Sequence, residues 1–194
     1  MRYSKDHKEQ TREKMVQVAS RKFRKEGFDG VSIGDLMAKL KLTHGGFYRH
    51  FSNKEQLYTE ALTFSIKDVQ TRMADRAANA NDLTLRQVIA AYLSIEHCEG
   101  IADGCPIAAL STEIARQSPR VQSTFDEALV AYMEKFLPLM PGKSKTERKE
   151  QFLVLFSGMA GALSVARAVF DPALRQSILK SARDFYVNTF CEEL

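Results

Sequence analysis

The positions of the apolar residues predict a chain built from helices. In the first segment, Met15, Val18, Ala19 and Phe23 are three or four residues apart, which is the spacing of one buried helix face. Similar spacing recurs along the chain, and no convincing run alternates between apolar and polar residues as a half-buried strand does. We therefore expect an all-α fold of about nine helices. The predicted helices cover residues 5–26, 33–40, 44–50, 53–76, 84–99, 106–117, 119–138, 144–170 and 173–191.

Local signals support the ends of the first and fourth helices. Gly27 should end the first helix as the glycine of a Schellman cap, with Phe23 and Phe28 making the hydrophobic contact that accompanies this cap. The run from Ser52 to Glu55 matches the capping box S-x-x-E, so the fourth helix should begin near residue 53. The segment between these two signals contains most of the residues that we consider below as candidates for DNA binding.

Charge is distributed unevenly between the two parts of the chain. Residues 1–54 contain 13 Lys or Arg and 6 Asp or Glu, a net charge of +7, and the remaining 140 residues have a net charge of −3. This balance indicates a module that faces nucleic acid, although a solvated basic helix would have the same composition. Arg2, Lys5, His7 and Lys8 are either an arm that enters the minor groove or a solvated chain end.

The second and third predicted helices are short and are joined by a tight turn. Ser32 and Thr43 precede them as N-cap residues. Two short helices that follow a longer one are the arrangement of a helix-turn-helix module, whose last helix enters the major groove of DNA.

The third helix presents one face with DNA-binding chemistry. His44, Gly45, Tyr48 and Arg49 fall on a common arc, whereas Phe47 points toward the other two helices. Glycine permits close approach of the backbone, a phenol can donate to a phosphate, and an imidazole or a guanidinium reaches base edges or phosphates. Lys54 is poorly placed for the dipole of the fourth helix, and a backbone phosphate would explain its position.

Residues 28–58 resemble the DNA-binding domain of TetR/AcrR-family regulators. The hallmark is Phe47-Tyr48-x-His50-Phe51 followed by Lys54-Glu55-x-Leu57. The resemblance implies an N-terminal helix-turn-helix domain (residues 1–54) and a helical effector-binding and dimerisation domain (residues 55–194) in a homodimer that binds a palindromic operator in double-stranded DNA. The family's DNA contacts fall on Ser32, Thr43, His44, Gly45, Tyr48, His50 and Lys54. Arg49 stands at a variable position of the family pattern and is a candidate contact through its own chemistry.

Small residues interrupt the apolar face of the helix predicted over 144–170. Gly158 and Gly161 lie near Phe152 and Phe156, and small residues allow two helices to approach closely. These four residues are the candidate dimer interface. An intramolecular contact or a pocket wall would use the same pattern.

Cys105 is a candidate sensor residue. It lies near the N-cap of a predicted helix that has Pro106 at its first position, and a thiolate is stabilised at a helix N-terminus. The local sequence is similar to a Gly-Cys-Pro/Leu segment in a subgroup of TetR/AcrR regulators, some of which sense electrophiles or oxidants. Cys98 could be a resolving partner. A buried, inert cysteine is the alternative.

Three functions are compatible with these features. The sequence favours a transcriptional repressor that a small molecule, electrophile or oxidant releases from its operator, with the fourth helix as the lever. A constitutive DNA-binding protein is the second hypothesis, but the large C-terminal part exceeds that need. An enzyme is the third, and no phosphate-binding loop, zinc-protease motif or nucleophile elbow occurs.

The sequence also suggests where the protein works and what it lacks. We expect no membrane span, because no uncharged apolar run of about 18 residues occurs. We also expect neither a cofactor nor a metal. The first residues contain no apolar segment of a signal peptide, and three sparse cysteines suit a reducing compartment. A cytoplasmic location is therefore expected.

Overall fold

The computed structural model describes residues 5–79 and 83–191, and within these ranges all regular structure is helical. The all-α prediction is confirmed. The helices are α1 (Lys5–Gly30), α2 (Ile33–Lys39), α3 (His44–Phe47), α4 (Lys54–Asn79), α5 (Leu85–Tyr92), α6 (Ile95–Glu99), α7 (Pro106–Ile114), α8 (Pro119–Phe136), a 3₁₀ turn (Leu137–Leu139), α9 (Lys145–Ala168) and α10 (Pro172–Cys191).

The segment predicted as one helix over 84–99 is two helices. α5 ends before Leu93, and Ser94 then starts α6 by accepting a hydrogen bond from the backbone N–H of His97 at 3.1 Å. Serine at an N-cap competes with continuation of the helix because its hydroxyl satisfies a free backbone N–H group. The described part of the chain therefore contains one α-helix more than expected.

α1 was predicted to end at Gly27 with a Schellman cap, but helical structure resumes after a kink at Gly27 and continues to Gly30. Gly27 has φ +74°, and the rings of Phe23 and Phe28 lie 6.2 Å apart, as expected for the hydrophobic contact. The backbone N–H of Phe28, however, donates to the carboxylate of Glu113 on α7, with N–O distances of 2.8 and 2.9 Å. A side chain 85 positions away thus binds the N–H that a Schellman cap directs to the preceding helix.

The cap of α4 is shifted by one residue from the predicted box. Asn53 Oδ1 accepts from the backbone N–H of Gln56 at 2.8 Å. The Gln56 side chain returns to Ser52, whose backbone N–H and hydroxyl donate to Gln56 Oε1 at 2.8 and 2.9 Å. Ser52 and Glu55 therefore do not form the expected box, because asparagine is an equally good cap one position later.

The beginning of the chain is helical from its first described residue. His7 and Lys8 lie in the first turns of α1, where Thr11 donates to the carbonyl of His7 at 2.8 Å. They are therefore not part of an extended arm. Arg2 lies outside the described residues.

The helices form two connected packing units. α1, α2, α3 and the first half of α4 enclose a core that includes Phe23, Phe47, Phe51 and Tyr58, all almost fully buried. In the second unit, α9 packs along α10, α5 packs on α10, and α8 packs on the side of α4. α7 lies between the units and contacts α1, α4 and α9.

The inner face of α9 corrects the predicted dimer interface. Phe152 and Phe156 are only 2% and 5% exposed, and their rings stack on each other with centroids 5.2 Å apart. Both pack within this chain, so a second copy cannot reach them. Gly158 faces Tyr186 of α10, where an added Cβ would overlap the phenol. Among the four candidate residues, Gly161 is exposed with open space around it.

α9 is long and apolar enough to cross a membrane by length and composition, by a criterion that admits charged residues within the window. A core helix of a soluble protein meets the same criterion, and one such helix is weak support for a span. In this fold Phe152, Leu155, Met159 and Leu163 are buried against neighbouring helices.

Candidate nucleic-acid interface and internal cavity

The helix-turn-helix is built by a local cap and a buried anchor on each helix. The Ser32 hydroxyl oxygen accepts from the backbone N–H of Asp35 at 3.0 Å, as predicted, and starts α2. Leu36 and Met37 hold α2 in the core. Lys41 turns the chain toward α3 with φ +57°. Because the Ser32 oxygen acts as an acceptor in this cap, its O–H proton remains for a phosphate.

α3 exposes the face that the sequence predicts. Phe47 is fully buried, whereas Tyr48 is 57% exposed beside His44, with ring centroids 5.9 Å apart. Thr43 has the backbone geometry of an N-cap, but its hydroxyl makes no capping hydrogen bond. An added Cβ at Gly45 would meet no atom within 4 Å. The face therefore combines an exposed phenol with unobstructed backbone.

Residues 48–50 leave the helix by a tighter turn than predicted. The backbone N–H of Arg49 donates to Gly46 at 3.3 Å, and that of His50 donates to Phe47 at 2.9 Å. These i to i−3 bonds end α3 before residue 50. Arg49 is exposed, as is Tyr48 beside it.

His50 lies among cations and is half-buried. Burial lowers the pKa of its imidazole, and the charges of Lys8, Arg12 and Arg49 lower it further. Its Nδ1 is buried without a hydrogen-bond partner in the described part of the chain. A neutral imidazole ringed by cations is suited to a site where anionic phosphates are added later.

Two cations rest on aromatic rings at this end of the molecule. Lys54 Nζ lies 4.4 Å from the centroid of the Phe28 ring, a cation–π contact. This contact stabilises Lys54 in the first turn of α4, where the helix dipole disfavours a positive charge, and the sequence did not predict it. Arg12 lies 4.6 Å from the centroid of Phe51 and is paired with Glu60 at 2.6 Å. Arg12 was not predicted as a candidate, and only the basic composition of α1 points to it.

A cavity of about 540 Å³ lies between α4, α5, α6, α8 and the loop before α7. We call the part lined by the buried residues Tyr92, Cys105 and Tyr132 its closed end. The charged lining residues are Arg72, Glu96 and Asp103. The lining consists of Val69, Arg72, Val88, Ala91, Tyr92, Ser94, Glu96, His97, Gly100, Asp103, Gly104, Cys105 and Tyr132.

Tyr92 and Cys105 meet at the closed end of this cavity. Burial raises the pKa of Tyr92 well above its usual value, and the adjacent Cys105 thiol raises it further. The Tyr92 hydroxyl has no hydrogen bond of good geometry among the described residues. A ligand oxygen or nitrogen in the cavity would satisfy that hydroxyl.

Hydrogen bonds fix the protonation state of His97. Its Nδ1 lies 2.7 Å from the carbonyl oxygen of Tyr92, so Nδ1 carries the proton. Its Nε2 accepts from the backbone N–H of Cys105 at 2.9 Å. His97 is thus a neutral support of the loop before α7, and neither nitrogen remains to act as a base for the Cys105 thiol.

The two candidate sensor cysteines occupy different environments. Cys105 is the N-cap of α7 with Pro106 at N1, as predicted, but its sulfur makes no capping hydrogen bond. Burial raises the pKa of Cys98, against the opposing effect of Arg167. Arg167 donates to the carbonyl oxygens of Cys98 and His97 at 3.1 and 2.9 Å and so holds α6 in place. All three cysteines are free thiols.

A second concavity of about 570 Å³ lies between α1, α4 and α8. Its lining includes Arg12, Glu60, Lys67, Arg120 and Glu127, so it is more charged than the internal cavity. Among the described residues, no group of three or more His, Cys, Asp or Glu is placed to hold a metal ion.

Residues 16–61 match the family described as "Bacterial regulatory proteins, tetR family". The chain is 26% identical over 113 residues to the HTH-type transcriptional repressor DhaR of a Mycobacterium species, an alignment that covers 58% of this chain and 56% of DhaR. It is 30% identical over 82 residues to the HTH-type transcriptional regulator TtgR of Pseudomonas putida, covering 42% and 38% of the two chains. The matched segments thus span about half or less of these relatives.

The whole fold resembles a solved structure. A transcriptional regulator described as TetR family from Cytophaga hutchinsonii superimposes with a TM-score of 0.76 and covers 100% of both chains, at 17% sequence identity. The likeness therefore extends over the C-terminal helices as well as the helix-turn-helix.

Proposed function

We propose that the chain is a regulator of the TetR/AcrR type, which binds operator DNA as a homodimer and represses transcription until an effector releases it; the match of residues 16–61 to the tetR family supports this proposal. Residues 1–54 bind DNA, residues 55–194 bind the effector and dimerise, and α4 belongs to both parts. The exposed surface of α3 and the turn after it carries this proposal, because Gly45 on α3 is followed at once by the exposed Tyr48 and Arg49, next to the buried anchor Phe47.

Each candidate side chain has a role set by its position. Ser32, Thr43 and Tyr48 donate hydroxyl protons to phosphates at the edges of the major groove. His44 and Arg49 reach base edges or neighbouring phosphates, and Gly45 lets the α3 backbone approach the DNA. Lys54 and His50 add positive charge near the backbone, His50 by taking up a proton beside a phosphate.

A second copy of the chain is the proposed occupant of the outer faces of α9 and α10. Val154, Gly161 and Val165 follow one stripe of α9, and Val154 and Val165 are 64% and 55% exposed. On α10, Leu174 and Phe185 are also exposed. Two such helix pairs related by a two-fold axis form a four-helix bundle. The dimer then places two α3 helices about 34–36 Å apart, on the half-sites of a palindromic operator.

The internal cavity is the proposed effector site. Its closed end offers apolar surface with the Tyr92 hydroxyl and the Cys105 thiol as polar groups. This chemistry suits a largely uncharged small molecule that places one oxygen near Tyr92, or an electrophile that reacts with Cys105. An effector that prefers a conformation with differently spaced α3 helices shifts the population away from DNA.

The cavity also separates this function from the alternatives. A constitutive DNA-binding protein needs no cavity of about 540 Å³ among α4, α5, α6 and α8. An enzyme is disfavoured because the curated relatives described above are transcriptional regulators. Neither a cofactor nor a metal enters the proposal, and a cytoplasmic location follows from operator binding.

Selection of bound DNA from a random pool tests the proposed function. The protein should enrich a palindromic sequence, and N-ethylmaleimide or a peroxide added during selection reports an electrophile or oxidant effector. A pool without a shared sequence would contradict operator binding.

A further inference from the structure

Two basic residues of α1 lie close to the turn that follows α3. Lys8 and Arg12 are one helical turn apart, and the charge of each lowers the pKa of the His50 imidazole. The guanidinium of Arg12 also lies over the Phe51 ring, 4.6 Å from its centroid. His50 directly follows the exposed Arg49. Arg12 therefore lies next to the proposed DNA-binding surface.

A carboxylate on α4 holds Arg12 in this position. Arg12 Nη2 donates to Glu60 Oε1 at 2.6 Å, and the Gln56 amide nitrogen donates to the same oxygen at 3.2 Å. The amide oxygen of Gln56 accepts from the backbone N–H and the hydroxyl of Ser52 at 2.8 and 2.9 Å. Hydrogen bonds thus connect the pair of Arg12 and Glu60 to the turn that precedes α4.

Arg12 keeps unused donors and remains in contact with solvent. Within the described chain its side chain makes one hydrogen bond, to Glu60, so the other N–H groups of the guanidinium are available to an anion. The Arg12 side chain is 36% exposed. Because Glu60 and the Phe51 ring already order this side chain, binding of an anion would lose little conformational entropy.

Positive charge is in excess around Arg12. Lys8 and Arg49 have no ion-pair partner among the described residues, and Arg12 has only Glu60. Repulsion among these cations is relieved when an anion is added, and a DNA phosphate is such an anion. The stability of the fold gives little reason for the pair, since an exposed ion pair contributes little to stability.

We infer that Arg12 of α1 binds a phosphate of the DNA backbone beside the surface of α3, and that Glu60, which holds the guanidinium, offsets part of its charge. This inference rests on the proposed function, in which the chain binds DNA through α3. It extends the DNA-binding surface from α2, α3 and the start of α4 to α1. A phosphate contact does not depend on base sequence, so Arg12 strengthens the binding of any duplex.

The salt dependence of binding to a random-sequence DNA duplex tests this contact without a known operator. Arg12→Gln should lower the affinity about tenfold near 0.1 M salt and reduce the slope of log affinity against log salt by about one. Arg21→Gln is the matched control, because Arg21 also belongs to an ion pair on α1, with Asp103 at 2.8 Å. Arg21 lies about 13.5 Å further along α1, beyond the Debye length of about 10 Å at 0.1 M salt, so this variant should keep the native slope.

Glu60→Gln is an independent test of the same contact. The new amide oxygen can still accept from Arg12 and Gln56, whereas the negative charge is lost. The affinity for the duplex should therefore rise, and the slope should steepen by about one. Glu150→Gln, which removes a charge from an exposed site on α9, should change neither the affinity nor the slope.

The slope separates a lost contact from lost stability, since an unfolded fraction lowers the apparent affinity equally at every salt concentration. A native slope for Arg12→Gln, or an equal fall for Arg21→Gln, would overturn the contact. An unchanged slope for Glu60→Gln would overturn the role of Glu60. A protein that shows the predicted slopes but enriches no palindromic sequence from a random pool would instead refute operator binding and leave the Arg12 contact standing.

Discussion

The Tyr58 hydroxyl donates a hydrogen bond to the Glu113 carboxylate at 3.0 Å and so joins α4 of the DNA-binding unit to α7 at the cavity. Tyr58→Phe removes this bond but keeps the ring that packs on Phe23 and Phe28. The free energy of unfolding should fall by about 1 kcal/mol. Glu113→Ala should cost about 2–3 kcal/mol, because it also leaves the Phe28 N–H unpaired. Urea unfolding measures both, and an alanine variant as stable as Tyr58→Phe would contradict the shared role of the carboxylate.

His50 should make the folded state sensitive to acid. Its native pKa is lowered by burial and by Lys8, Arg12 and Arg49, so the unfolded chain binds a proton first as pH falls through about 6.5. The stabilising contribution of neutral His50 is present above that pH and is lost as pH falls through the lowered native pKa. His50→Gln should therefore reduce the loss of unfolding free energy between about pH 7 and pH 5. An unchanged pH profile would refute this assignment.

The outer face of α9 should hold the dimer. Val154→Asp places a charge on the proposed interface and should convert the dimer to a monomer at micromolar concentration, with a loss of operator affinity. Val130→Asp is the matched control, because Val130 is a valine of similar exposure (53%) on α8, outside the proposed α9–α10 interface. Analytical ultracentrifugation reports the mass. A Val154→Asp protein that remains a dimer would require another interface.

Cys105 should account for any release of DNA by thiol reagents. Cys105→Ser removes the thiol at the closed end of the cavity and should abolish release by N-ethylmaleimide, whereas Cys191→Ser should not. Electrophoretic mobility shift with increasing reagent measures this. Normal release from the Cys105→Ser protein would leave Cys105 as a structural N-cap of α7.

The sequence predicted helix caps and turns whose interacting residues lie close together along the chain. Ser32 caps α2 because its partner Asp35 is three positions away, and Gly27 turns the chain because glycine adopts a positive φ without steric cost. The cap of α4 was displaced by one residue because Asn53 competes with Ser52. Such signals show that a helix begins nearby, but they do not show which of two adjacent residues is the cap.

Features that depend on distant contacts were not predictable in this way. Periodicity placed Phe152 and Phe156 on one face of α9, but it could not tell whether that face packs inside the chain or against a partner. The bond between Glu113 and Phe28 joins positions 85 residues apart, and no local pattern marks either residue. The exposed face of α3 was predicted because its family motif and helical geometry agree.

The salt dependence of operator binding tests the central claim most directly. With operator DNA selected from a random pool, affinity should fall steeply with salt, and Tyr48→Phe and Lys54→Ala should each weaken binding. Lys54→Ala should also reduce the slope of log affinity against log salt by about one. Lys135→Ala, which removes a charge from α8, should leave both the affinity and the slope unchanged. Equal affinity and slope for the native, Tyr48→Phe and Lys54→Ala proteins would contradict DNA binding by the face of α3.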